Sequence, residues 1–144
     1  MDGCVFCKIA NGSSPSHKIF EDKNTIAFLD IFPCAIGHTL VITKKHYKNM
    51  EDVPPQELAE AIKTVQLVGK ACMKALGAPG FNVHQSNNKP AGQVVFHLHF
   101  HVVPRFENDG VSFKWQVSEK AKEQIPLVKE KMMKVLWKIF NKNQ

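Results

Sequence analysis

Apolar residues recur along this 144-residue chain with two distinct periods, and the period assigns the elements. Residues 19–22 (IFED) and 25–30 (TIAFLD) are short apolar runs on either side of Lys23-Asn24, the pattern of a hairpin. Thr39-Leu40-Val41-Ile42-Thr43 is rich in β-branched residues, follows Gly37 and precedes two lysines, which suits a central strand. Phe81 to Gln85 and Val94 to Val103 supply two more strands, joined by the turn-rich Ser86-Asn87-Asn88-Lys89-Pro90-Ala91-Gly92. Between the third and fourth strands, Leu58, Ala61, Ile62, Val65, Val68, Cys72, Ala75 and Leu76 recur at three- and four-residue steps, one face of a long amphipathic helix. Asp52 or Val53 precedes Pro54-Pro55 at its start, and Gly77 follows its end. A second stripe, Val128, Met132, Val135, Leu136 and Ile139, predicts a C-terminal helix. The expected fold is α+β: a five-stranded antiparallel sheet with one long helix packed on a face and a C-terminal helix.

Composition narrows the function class. Hydrophobic residues at 44% and charged residues at 22% lie near the globular average, so a disordered or fibrous chain is not expected. The length predicts one domain over residues 1–144, with a Lys-rich helical segment at about 118–144. No run approaches a membrane span and the start lacks a continuous apolar region, so neither a membrane location nor export is expected. The net charge of +6 would suit nucleic acid, but residues 1–113 carry only +1 and residues 114–144 carry +5. With Arg105 as the single arginine, nucleic acid is not an expected partner. The four cysteines, in a chain without an export signal, read as reduced thiols or metal ligands. Cys34 and Cys72 have apolar neighbours and are expected in the core, whereas Cys4 and Cys7 form a C-x-x-C pair.

The chemistry concentrates in Phe96-His97-Leu98-His99-Phe100-His101-Val102-Val103-Pro104-Arg105. On a strand, alternate side chains face opposite ways, so His97, His99 and His101 are predicted on one face and Phe96, Leu98, Phe100 and Val102 on the other, toward the helix. Two chemistries want such a row: a zinc ion held by the imidazoles with an open position for water, or nucleophilic attack by His99 without metal. An imidazole with an ordinary pKa near 6.5 is largely unprotonated at neutral pH and can attack phosphorus unaided. The Asn-rich approach and Gly92-Gln93 offer amides that suit an anion better than a metal, and no Gly-rich Lys loop of the ATPase kind is present.

His97-Leu98-His99-Phe100-His101-Val102-Val103 resembles the signature of the histidine triad superfamily of nucleotide hydrolases and transferases. The resemblance covers roughly residues 4–106, from CVFCKIANGSSPSHKIFEDKNTIAFLDIFPCAIGHTLVITKKHY to AGQVVFHLHFHVVPR, and is closest to the nucleoside phosphoramidase-like branch with an N-terminal C-x-x-C. It implies that His99 attacks the α-phosphorus to form a nucleotidyl-histidine that water hydrolyses. His101 would hold phosphate oxygens, and His38 would complete the cluster with His97. Gln93 would contact phosphate or leaving group, and Asp30, with Ile31 beside it, the ribose. Phe6, Ile9, Phe28 and Leu40 align with the nucleobase pocket, and for them ordinary core packing is the competing expectation. Ser86, followed by Asn87, stands where the family often has a phosphate- or ribose-contacting Asn, and Val94 where some relatives have a Ser, which leaves the leaving-group preference open.

The C-x-x-C pair alone is compatible with apolar packing, a redox pair or half of a zinc site, and the redox motif lacks its preceding strand. The resemblance implies a closed structural zinc site of Cys4, Cys7, His46 and His97. The expected activity is hydrolysis of purine nucleoside phosphoramidates at the α-phosphate, releasing AMP, with zinc as structural cofactor and none for the chemistry. Dinucleoside polyphosphate hydrolysis is the alternative within the family. A nucleotide-binding adaptor with incidental turnover and a zinc hydrolase using the triad as ligands are alternatives outside it. A homodimer in the cytoplasm, with the nucleus as a second location, completes the implied picture.

Overall fold

β-Branched and aromatic residues build five short strands that pair antiparallel throughout, lying side by side in the order first, second, third, fifth and fourth along the chain. The structure is a computed structural model describing residues 3–142. The strands are β1 (His17–Glu21), β2 (Thr25–Leu29), β3 (Thr39–Thr43), β4 (Gly80–His84) and β5 (His99–Arg105). The helices are α1 (Val5–Ala10), α2 (Pro55–Leu76), α3 (Glu119–Glu123) and α4 (Ile125–Lys142), with a 3₁₀ turn at Lys89–Ala91. The expected five-stranded sheet, long helix and C-terminal helix are all present. The chain divides into two compact units, one ending at Val111 and the other starting at Ser112. Within the second, Ser118 caps α3 through its hydroxyl and no residue of α4 is buried.

The two faces of the sheet carry different cores because side chains alternate along each strand. Ala27, Val41, Phe100 and Val102 face one way and pack with Val65, Val68 and Cys72 of α2. A buried hydroxyl pair, Thr25 with Thr64 at 2.7 Å, ties β2 to that helix. Helix α2 begins after Pro54, which is extended, and stops at Gly77, whose φ of 66° is left-handed and open to a residue without Cβ. Ile62 and Leu76, expected in its apolar stripe, are exposed. On the opposite face Ile26, Phe28, Leu40 and Ile42 form a smaller core closed by Phe6 of α1.

Three expectations need correction, and one helix was not foreseen. The last strand begins at His99 rather than Val94, because Gln93 to Leu98 bends away from the ladder: the Leu98 N–H donates to the Tyr47 carbonyl at 2.7 Å. Phe96, expected on the helix face, is therefore exposed. Cys34 is exposed as well, since residues 31–37 form a surface turn on which Phe32 and Ile36 also project, whereas Cys72 is buried as expected. Helix α1 was not legible from periodicity, and its first residue follows Cys4 directly.

Candidate active site

The smaller core and the histidines share one face. Leu40 pairs with His101 and Ile42 with His99 across β3 and β5, so both imidazoles stand beside the apolar patch of Phe6, Ile26 and Phe28. A cavity of about 480 Å³ opens there. Of the residues expected at a nucleotide, Phe6, Ile9, Phe28, Leu40, Asp30, Ile31 and Val94 line it together with His99 and His101. Phe6 meets Phe28 and His99 edge to face, at centroid separations of 5.7 and 5.2 Å.

Backbone contacts determine which nitrogen of each ring is free. His99 Nδ1 lies 2.7 Å from the His97 carbonyl oxygen, which can only accept, so Nδ1 carries the proton and Nε2 keeps an unshared pair. The Cys34 N–H donates to His38 Nδ1 at 3.2 Å, which places the His38 proton on Nε2. That proton is donated to His101 Nδ1 at 2.8 Å, leaving His101 with its own N–H on Nε2. Asp30 Oδ2 lies 3.6 Å from His38 Nε2, while its Oδ1 accepts the Phe32 N–H at 2.8 Å. Burial lowers the pKa of His38 and His99, and it lowers that of His101 to about 4, with His99 and His38 adding to the effect. All three rings are neutral at pH 7.

His97 belongs to a different cluster. Its Nε2–H donates to the Thr43 carbonyl at 2.7 Å, which turns Nδ1 toward Cys4 and Cys7, each sulfur 3.5 Å away. His46 Nδ1 lies 3.2 Å from the Cys7 sulfur, and the four donor atoms lie within 4.8 Å of one another. Tetrahedral zinc has S···N edges of about 3.6 Å, calculated from Zn–S near 2.3 Å and Zn–N near 2.05 Å, so the donor set and spacing fit that ion. Burial and the adjacent Cys4 raise the Cys7 thiol pKa, and a metal would bind there with release of its proton. Burial also holds His97 down at about 4. Asp30, His38 and His101 also come within 4.8 Å of one another, but the Cys34 amide occupies the nitrogen that His38 would need to protonate in order to bind a cation through Nε2. The three triad imidazoles thus make three separate bonds and do not converge on one point, contrary to the reading of them as joint zinc ligands.

Gln93, Ser86 and Asn87 are not among the cavity's lining residues. The Gln93 carboxamide donates to the Lys48 and Val95 carbonyls at 2.7 and 3.2 Å and accepts the Asn88 N–H at 2.8 Å. It holds the Gly92–Val95 segment, in which Gly92 and Val94 line the cavity. Asn87 is engaged with Gln85 and the Met50 N–H. Sequence reasoning missed three contributors: the Thr43 carbonyl, the Cys34 amide, and the fully buried Asn49, which donates to Asn88. Two are backbone groups and leave no mark in side-chain patterns.

Residues 11–108 match the HIT domain. The chain is 41% identical to adenosine 5'-monophosphoramidase HNT1 of Saccharomyces cerevisiae, over 81% of this chain and 72% of that one. A crystal structure of SMU.412c from Streptococcus mutans superposes with a TM-score of 0.88 at 37% identity, covering 94% of this chain and 87% of that one. A Zn-bound histidine triad family protein from Mycobacterium smegmatis gives 0.75 at 40% identity, covering 83% and 87%. With the matched domain and these relatives in agreement, the chain belongs to the HIT-domain, or histidine triad, family.

Proposed function

We propose that the protein hydrolyses purine nucleoside phosphoramidates at the α-phosphorus through a nucleotidyl-histidine at His99, releasing AMP and an amine. The observation that carries this reading is the 2.7 Å bond from His99 Nδ1 to the His97 carbonyl, which leaves the Nε2 lone pair for attack. Nε2 bonds to phosphorus as the P–N bond breaks, and the amine departs with a proton taken from solvent. Water then attacks phosphorus, the P–Nε2 bond breaks back onto the ring, and the water's proton is lost to solvent. His101 Nε2–H, held by the Cys34–His38–His101 chain, donates to a phosphate oxygen as charge builds there. Asp30 Oδ2 accepts from ribose, and Phe6, Ile9, Phe28 and Leu40 take the base.

In the same reading Cys4, Cys7, His46 and His97 hold a structural zinc. The donor set supports it, and a relative of this family is described as Zn-bound. Zinc there would bind α1 to the sheet, and α1 supplies Phe6 and Ile9. A homodimer completes the reading, with β4, one of the two edge strands, as the pairing edge, on which Val83 is exposed.

The monophosphoramidase activity named for the yeast relative supports phosphoramidates over dinucleoside polyphosphates, as does the cavity's lining, which includes no Lys or Arg among the described residues to meet extra phosphates. The test is steady-state kinetics on adenosine 5'-phosphoramidate and diadenosine tetraphosphate. The expected result is a kcat/KM at least about tenfold higher for the phosphoramidate. Preference for the polyphosphate would overturn the reading, and AMP binding without turnover of either would replace the hydrolase with an adaptor.

A further inference from the structure

Asn88 holds a backbone conformation that its residue type disfavours. Its φ of 69° and ψ of 162° fall in a region that glycine enters freely and residues with a Cβ avoid, so the main chain there is strained and persists only because its surroundings hold it. Strain of this kind gathers beside functional sites. Asn88 shortly precedes Gly92 and Val94, which line the cavity that contains His99 and His101.

The holding groups come from the segment after His46. Fully buried Asn49 donates from Nδ2 to Asn88 Oδ1 at 3.1 Å and to Glu51 Oε2 at 3.3 Å, and its Oδ1 accepts the Glu51 N–H at 2.9 Å. Asn88 Nδ2 donates to the same Glu51 oxygen at 3.0 Å. The amides of Asn88 and Asn49, with Lys48 nearby, hold the Glu51 carboxyl below its ordinary range, so it is ionised at neutral pH and serves purely as an acceptor. Two further bonds tighten the same joint: Asn87 Oδ1 accepts the Met50 N–H at 2.9 Å, and the Gln93 carboxamide donates to the Lys48 carbonyl at 2.7 Å.

We propose that Asn49, Glu51 and Asn88 are positioning residues for the reaction, a clamp that holds the strained turn and thereby sets where the Gly92–Val95 main chain stands beside His99. This rests on the phosphoramidate reading above and adds the groups that align its chemical step. None of the three lines the cavity, so they act through the main chain: the Asn88 carbonyl accepts the N–H groups of Ala91 and Gln93 at 3.1 and 3.2 Å. Displacing Gly92 and Val94 moves one boundary of the space in which Nε2, phosphorus and the leaving group must line up, and misalignment is felt in the chemical step. The base is held by Phe6, Ile9, Phe28 and Leu40, so nucleotide affinity stays.

The experiment removes the shared acceptor. Glu51 is exposed, and Glu51→Ala opens no core. It is made in the full chain in two backgrounds, wild type and Asn88→Gly, because glycine takes the turn without strain and has no need of the clamp. kcat on adenosine 5'-phosphoramidate and calorimetric AMP affinity are read on the same preparations. Glu51→Ala is expected to lower kcat about tenfold in wild type and less than about twofold in Asn88→Gly, with the Kd for AMP within about threefold in both. Glu51→Gln, which keeps an acceptor oxygen, should recover most of the lost kcat, and this contrast decides alone if Asn88→Gly does not fold. Equal losses in the two backgrounds, no loss in wild type, or a loss carried by AMP affinity overturns the proposal. If the wild type does not hydrolyse the compound, the phosphoramidate reading fails by itself, and amide hydrogen exchange over residues 89–95 then reads the clamp directly. Exchange that Glu51→Ala accelerates in wild type but not in Asn88→Gly supports the clamp, and exchange unchanged or equally accelerated in both refutes it.

Discussion

Replacing Cys4 and Cys7 together by Ser separates folding from chemistry at this site. Two of the four donors at His46 and His97 disappear, and with them the means of fixing α1, a six-residue helix without a side-chain cap. So short a helix does not persist alone, and its buried residue, Phe6, is the stabilising contact at stake. Losing the burial of a core Phe costs about 3–5 kcal/mol, which for a unit of this size lowers Tm by about 10–20 °C. The nucleotide pocket loses the wall formed by Phe6 and Ile9. Forfeiting about 2 kcal/mol of apolar contact raises KM about thirtyfold. The bond that sets the His99 tautomer is made to the main-chain carbonyl of His97 and not to a cysteine, so kcat should stay within about threefold. The assay is metal content by mass spectrometry, calorimetric melting, and kcat and KM on the same reduced samples. A variant that melts with wild type and keeps its KM would refute the anchoring argument, and a folded variant whose kcat collapses would place the metal in the chemistry.

Three further outcomes follow from particular contacts. His101 is buried with its pKa lowered to about 4, so below pH 6.5 the unfolded chain takes up a proton that the folded chain refuses. Its contribution to stability should therefore be flat above pH 6.5 and fall as pH drops toward 4, and urea titrations at pH 7.5 and 5.0 should show a shallower loss in His101→Gln. Gly69→Ala places a Cβ hard against the Phe81 ring and should destabilise the protein by about 1–3 kcal/mol, read from chemical denaturation at constant m-value. Deleting residues 112–144 removes the second unit but no residue of the site, so kcat on adenosine 5'-phosphoramidate should stay within about threefold of the full chain, provided circular dichroism shows the variant folded.

What the sequence disclosed depended on how periodic each element was. Helix α2, with its apolar steps, opening prolines and closing Gly77, was legible almost to the residue, as was β3. Alternation in β5 correctly put His99 and His101 opposite Phe100 and Val102. It held for His97 too, whose ring meets Phe6 at 5.9 Å as that of His99 does at 5.2 Å while Leu98 joins the helix-side core, although His97 precedes the first residue of β5. What alternation did not disclose is the bond to the Thr43 carbonyl, which aims the His97 ring at the cysteines. Cys34 was misplaced because apolar neighbours were read as burial, although Phe32 and Ile36 are themselves exposed on the same turn. Helix α1 is too short for a period, and its place depends on Phe6 and the two cysteines, contacts distant in sequence.

The central claim is that His99 Nε2 becomes covalently bound to the nucleotide. Single-turnover reaction with adenosine 5'-phosphoramidate, quenched in base and digested for mass spectrometry, tests it directly. The expected result is an adenylyl group on the peptide containing His97–His101, located at His99 by fragmentation and formed before AMP is released. His99→Ala should show no adduct while still binding AMP, since Phe6, Phe28 and Leu40 remain. AMP release at the wild-type rate with no adduct at any time point, or activity of His99→Ala within tenfold of wild type, would contradict the account.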